Sequence, residues 1–159
     1  MSNSIDARWS GAGPLVFAID KFTFRVPQDR LYSREDCWVV QQPDGTVRIG
    51  LTDFRQQASG DVAFVETPPV GTIVTQGDEF ATIETMKVNL AIPCPINGAI
   101  TSVNSALTEH PELLNQDPYG GGWLVEMAIR TPEQVQNLLS PSDYLAIMRT
   151  KAEGERSKR

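Results

Sequence analysis

The sequence predicts a mainly β domain of short strands closed by short helices. Two observations carry that expectation. Eleven prolines and twelve glycines divide the 159 residues into short segments and leave few long amphipathic runs. Phe80 to Thr85 and Val88 to Ile92 both read as strands, the second because Val88, Leu90 and Ile92 alternate with Asn89 and Ala91. The length suits one ordinary domain with a real core and is too short for two large ones.

Met1 to Gly13 is polar and ends in small, turn-prone residues, so it is expected to be loosely ordered. Leu15 to Phe24 places Val16, Ala18, Asp20, Phe22 and Phe24 on one parity, which predicts an extra strand weakened by the aspartate. Its apolar content predicts that it docks on the domain. Trp38 to Val40 and Thr46 to Leu51 flank Pro43-Asp44-Gly45, where proline presets one turn dihedral and glycine supplies a positive one. Thr52 is placed to cap a short helix through Ala58, with Gly60 beyond its end.

Asp61 to Glu66 is a strand stopped by Thr67-Pro68-Pro69, because proline has no amide for a ladder. Thr72 to Thr75 and Phe80 to Thr85 flank a turn at Gln76-Gly77-Asp78, and Ile92-Pro93-Cys94-Pro95 ends the strand after Lys87. Asn97-Gly98 is the strongest isolated turn signal and leads into Ala99 to Val103; Gly77 and Gly98 both read as turn-forming. Leu107 to Leu114 predicts a short helix with Pro111 near its start, and Trp123 to Ile129 a closing strand. Thr131-Pro132 and Ser140-Pro141 each set a capping side chain before a proline, which predicts two C-terminal helices. Val135, Leu138, Leu139, Tyr144, Leu145 and Met148 supply their apolar faces.

Net charge is −6, distributed unevenly: an acidic body through Met148 precedes a basic Arg149 to Arg159. An acidic body repels phosphate backbones, so nucleic acid is excluded as a partner and basic protein surfaces are favoured. The basic end reads as a solvated, frayed helix end. No stretch approaches a membrane span, and Leu15 to Ile19 lacks the flanks of a signal peptide, which makes the cytoplasm the default location. In that reducing setting Cys37 and Cys94 are expected to be thiols. His110, the only histidine, has no cysteine cluster or second histidine beside it, so no metal site is predicted.

Lys87 stands out. Between Arg55 and Arg130 it is the only Lys or Arg, while the same interval holds nine acids. It falls at a hairpin tip that lacks the Asn-Gly or Asp-Gly pair favoured in tight hairpins. Lysine is also common on exposed turns simply because its charge is well hydrated there.

Glu84-Thr85-Met86-Lys87 resembles the E-x-x-K tip of lipoyl carriers, in which the lysine nitrogen is acylated by lipoic acid. The run Pro111-Glu112-Leu113-Leu114-Asn115-Gln116-Asp117-Pro118-Tyr119-Gly120-Gly121-Gly122-Trp123-Leu124 resembles the P-E-L-x-N-x-D-P-Y-G-x-G-W-L signature of glycine cleavage system H proteins. With Gly50 to Phe54 and Gly60 to Glu66, the similarity spans about Pro27 to Met148. The chain is identified as a member of the H protein-like superfamily.

The resemblance implies a lipoyl-domain-like flattened β-barrel or sandwich, a barrel-sandwich hybrid with C-terminal helices, with the lysine turn and the Asn-Gly turn at opposite ends. It divides the chain into an N-terminal extension (1–26), a carrier domain (27–148) and a charged tail (149–159). Its implied cofactor is lipoate on Lys87, with Glu84 recognised by the loading enzyme, a lipoate ligase or lipoyl transferase. The implied protein is a carrier, not an enzyme: the strained cyclic disulfide supplies the chemistry and the protein presents it.

The sequence departs from the pattern in three places. Y-T-K-E-H-E-W becomes Tyr32-Ser33-Arg34-Glu35-Asp36-Cys37-Trp38, E-S-V-K-A becomes Glu84-Thr85-Met86-Lys87-Val88, and the following segment, which ends Y-S-P-V-S-G in the pattern, becomes Ile92-Pro93-Cys94-Pro95-Ile96-Asn97-Gly98. These changes are expected where partners and the arm meet the domain. They resemble the specialised lipoate-binding proteins of the heterodisulfide reductase-like sulfur-oxidation system. That resemblance implies that the arm carries sulfur intermediates, with a heterodisulfide reductase-like complex and dihydrolipoyl dehydrogenase as partners and a thiol role for Cys37 and Cys94. Both cysteines also read as ordinary buried small residues. The alternative is a glycine cleavage H protein that carries an aminomethyl group between glycine decarboxylase and aminomethyltransferase. Met86-Lys87 also resembles the tip of biotin carriers, which have methionine after the lysine where this chain has Val88. An unmodified interaction module is the remaining alternative.

Overall fold

The structure, a computed structural model, describes residues 13–157. Every strand pairing is antiparallel. A two-stranded hairpin joins β1 (Leu15–Ile19) to β2 (Phe22–Val26). A six-stranded sheet runs β3 (Leu31–Tyr32), β4 (Cys37–Gln41), β5 (Val47–Leu51), β11 (Val125–Ile129), β10 (Gly98–Val103) and β7 (Ile73–Val74). A three-stranded sheet orders β6 (Val62–Glu66), β8 (Glu79–Thr85) and β9 (Asn89–Pro93). Among the described residues, five helices connect or flank these strands: α1 (Asp53–Ser59), α2 (Ala106–Glu109), α3 (Leu113–Gln116), α4 (Glu133–Gln136) and α5 (Pro141–Ser157). Among the described residues, no helix is long and apolar enough to cross a membrane.

The predicted fold class holds: the structure is mostly antiparallel sheet with a C-terminal helix, without a closed barrel. Residues of the two larger sheets fill one apolar core, including Val39, Ile49, Phe80, Ile83, Ile92 and Met127. A second cluster, built around Trp38, Tyr32, Tyr144 and Phe54, buries the β1–β2 hairpin and α5 against the domain.

Several local expectations change. The extra strand is a hairpin, because Asp20 takes φ 53° and turns the chain back on itself. The helix around Pro111 is two separate turns. His110 leaves helical geometry at φ −128°, ψ 63°, as the residue before a proline is pushed to do. Thr131 does not cap α4; its hydroxyl accepts from Asn97 Nδ2 at 3.0 Å. Ser140 does cap α5, accepting from the Asp143 amide at 3.2 Å. The expectation for Met1 to Gly13 lies outside the described residues except for Gly13.

Among the described residues, the basic end is helical and not frayed. Helix α5 continues through Ser157, Ala152 is buried, and Lys151 Nζ donates to Asp36 Oδ2 at 3.0 Å. Asp36 also accepts from the Tyr144 hydroxyl at 2.7 Å, so one buried carboxylate fastens two turns of α5. Asp36 takes φ 72°, a region that aspartate tolerates better than most side chains.

Gly98 corrects the turn reading. It is a strand residue of β10, and a Cβ built there would meet Ala128 O at 2.6 Å and Met127 Cε at 2.7 Å. Its role is close approach of β10 to β11. Replacing Gly98 with alanine is expected to destabilise the protein by about 1–3 kcal/mol through overpacking, read as a lower urea midpoint with unchanged slope.

Candidate functional site

Strands β8 and β9 pair in register through Glu84 opposite Asn89, leaving Thr85, Met86, Lys87 and Val88 as the tip. The tip closes without glycine because threonine organises it. The Thr85 amide donates to Val88 O at 2.8 Å, and Thr85 Oγ1 accepts from the Lys87 amide at 3.1 Å and the Val88 amide at 2.8 Å. The same hydroxyl lies 2.8 Å from Val88 O as a donor. A hydroxyl that captures amides two and three residues on does what a special turn dipeptide does elsewhere. No tip residue has a positive φ. Sequence reasoning missed Thr85, although its position before the lysine was the available signal.

Two further contacts fix the tip against the domain. The Met86 amide donates to Asp61 O at 3.1 Å, and Lys87 Nζ donates to Ala58 O at 3.1 Å, in the last turn of α1. A helix C-terminus presents unsatisfied carbonyls and partial negative charge, which suits an ammonium. The lysine stem runs beside Gly60, whose φ of 88° at the end of α1 is a conformation that favours glycine. Met86 is 83 % exposed, and Glu84 and Lys87 are exposed beside it.

Asn115 holds the base of this arrangement, also unnoticed in the sequence except as a motif letter. Its Oδ1 accepts from the Val62 amide at 2.9 Å, and its Nδ2 donates to Gly60 O and Gln56 Oε1, each at 3.0 Å. One side chain therefore ties α1 to the start of β6.

The cysteines are elsewhere. Cys94 follows β9 at the end opposite the tip, roughly 20 Å along the strand direction at about 3.3 Å per residue. Cys37 Sγ reaches Pro93 O at 4.0 Å, so it belongs to that far end too. Both are buried. Burial pushes the Cys37 thiol well above its ordinary range and the Cys94 thiol up to about 11. Neither is a ready nucleophile near neutral pH. The expectation that Asp36, Cys37 and Cys94 lie on a partner-facing surface is corrected as well: all three are at most 2 % exposed. His110 is at the surface, 3.2 Å from Glu112 Oε2. Among the described residues no cluster of three or more His, Cys, Asp or Glu is arranged to hold a metal.

The family model for the glycine cleavage H-protein matches residues 30–151. Among curated proteins, the glycine cleavage system H protein of Carboxydothermus hydrogenoformans is 39 % identical over 129 residues, spanning 80 % of this chain and 98 % of that protein. That of Chlorobium phaeobacteroides is 42 % identical over 118 residues, spanning 74 % and 93 %. The crystal structure of a glycine cleavage system H protein from Mycobacterium marinum superposes with a TM-score of 0.69 at 34 % identity, covering 76 % of this chain and 97 % of that one.

Two outcomes check the site. Thr85→Ala is expected to speed amide exchange at Lys87 and Val88 by about tenfold, the loss of a net hydrogen bond, without shifting global stability. Alkylation of native protein at pH 8 is expected to leave Cys37 and Cys94 unlabelled. Cys94 labelling should rise only as pH approaches 11, because the reactive thiolate is scarce below a raised pKa, and both should label at once in denaturant.

Proposed function

The chain belongs to the glycine cleavage H-protein family, and from that premise we propose that Lys87 is its lipoyl attachment site and that the arm serves glycine cleavage. Members of this family are carriers of covalent lipoate rather than enzymes, and that coarser role holds for this chain. The observation that carries the assignment to Lys87 is its geometry. It is the single cation of a long acidic stretch, exposed at a hairpin tip that Thr85, Asp61 O and Ala58 O hold in place.

The residues present fit the group. Lipoate joined by an amide to Nζ keeps one N–H to donate and loses the positive charge, and the exposed tip leaves the rest of the arm room. When bound, the group supplies a cyclic disulfide that is opened by reduction or by a nucleophile and holds cargo on one sulfur. The chain's own residues fix the root of the arm, and the acidic surface steers basic partners while repelling wrong ones. Glu84, exposed three residues before Lys87, is the proposed mark for the loading enzyme. Glycine decarboxylase, aminomethyltransferase and dihydrolipoyl dehydrogenase are the proposed partners. The carrier domain is proposed as residues 27–148, with the hairpin and the end of α5 packed onto it.

A second reading is a carrier of sulfur intermediates for a heterodisulfide reductase-like complex. Met86 favours it: an apolar, polarisable side chain that exposed beside the lysine changes what a partner meets. The buried Asp36, Cys37 and Cys94 lend it no support.

Protein purified from its native host under mild conditions is expected to carry a lipoyl mass increment on Lys87, lost completely in Lys87→Arg. An aminomethyl adduct on the arm supports glycine cleavage, and an added sulfur adduct would move the assignment to sulfur oxidation. An unmodified Lys87 in active cells overturns both.

A further inference from the structure

Charge is divided between the family domain and the segments at its two ends. Residues 27–148 carry six Lys or Arg against sixteen Asp or Glu, whereas residues 15–26 and 149–157 together carry five against three. The fold brings those two end segments to one place. Helix α5 packs along the β1–β2 hairpin: Arg149 lies over the Phe17 ring at 5.1 Å, and Arg156 reaches Asp20, in the hairpin turn, at 3.8 Å. The charge is therefore dipolar, an acidic domain with one basic face.

That face is built from fixed side chains. Lys21 Nζ sits over the Phe22 ring at 5.7 Å, so Lys21 and Arg149 both rest on half-buried rings. Arg25 projects from the outward side of β2, directly opposite Val16 of β1, which is 54 % exposed. Among the described residues, the ion pairs leave Lys21, Arg25 and Arg149 without a carboxylate partner. The acids of the face are Asp20, engaged by Arg156, and Glu153 and Glu155 of α5. The backbone beneath is held to the domain: the Arg25 amide donates to Asp53 Oδ2 at 3.0 Å, and Arg25 O accepts from the Tyr119 hydroxyl at 2.7 Å.

We infer that the hairpin–α5 face is a docking surface for a second protein whose contact surface is acidic. Charge complementarity sets that chemistry: the domain repels an acidic protein everywhere else, so the dipole turns this face towards it during encounter. Cations resting on aromatic rings, with an exposed valine between strands, have the composition of protein interface cores. Side chains already held on rings lose less freedom on binding than free ones. A protein surface is favoured over a polyphosphate or an anionic membrane because the patch is small and backed by an acidic domain that repels extended anions. Basic partners are directed to the acidic surface and acidic ones to this face, so the two kinds approach in different orientations. The inference does not depend on what Lys87 carries.

The test uses full-length ¹⁵N-labelled protein and a synthetic peptide rich in Glu and Leu, with a Lys and Leu counterpart as control. The acidic peptide is expected to shift the amides of β1, β2 and Arg149 to Arg156 of α5, and the basic peptide those of the domain. Charge reversal by Lys21→Glu with Arg25→Glu is expected to weaken acidic-peptide binding at least about tenfold, and added salt to weaken it in the wild type. Both side chains are exposed, so the doubly substituted protein is expected to keep its thermal midpoint. Arg149→Gln alone should weaken binding about threefold. Shifts spread evenly over the molecule, or binding indifferent to charge reversal, overturn the docking surface. Tighter binding of a phosphatidylglycerol vesicle or a single-stranded oligonucleotide than of the acidic peptide overturns its assignment to an acidic protein. Self-association that the same reversal abolishes makes a second copy of the chain the occupant and overturns the separate partner.

Discussion

The geometry around the lysine depends on one carboxamide. Asn115 takes one amide proton, from Val62, and gives two, to Gly60 O and Gln56 Oε1. Those contacts satisfy a carbonyl at the end of α1 and the first amide of β6, groups that have no partner within their own elements. The tip is then hung from the same junction: Met86 donates to Asp61 O, the residue between Gly60 and Val62, and Lys87 donates to Ala58 O. A half-satisfied version of this polar cluster would cost more than it contributes, so its completeness is what fixes the lysine. Asn115 comes from α3, far along the chain, and its side chain is placed by the Gly-rich turn after it. Asp117 accepts from the Gly121 amide at 2.8 Å, and Gly122 approaches the Leu113 carbonyl too closely for any side chain.

The same signature run also anchors what lies outside the family domain. Trp38 donates to Pro118 O at 2.9 Å, Arg30 spans the faces of Trp38 and Tyr119, and the Tyr119 hydroxyl joins β2 to α1. Gly50 exists for the Trp38 ring, whose nearest atoms would lie 2.5–2.8 Å from a Cβ there. The motif is thus a structural joint whose output is positional: it holds α1, and α1 holds the lysine.

Much of this was legible in the sequence because the signals are local. Turn residues at Pro43-Asp44-Gly45 and Gly77, the Thr52 cap and the Ser140 cap all act within a few residues, and each expectation matches the structure. The failures have a common cause. Asn97-Gly98 has the composition of a turn, but Gly98 is selected by the crowding of Ala128 and Met127 from another strand. Asp36, Cys37 and Cys94 resemble changes to a docking face only while their burial is unknown. In the structure the aspartate is the buried socket for Tyr144 and Lys151, and the thiols fill core. Lys87 was found by charge isolation and motif, both readable along the chain. Ala58 O was not, since α1 is brought beside the tip only by folding.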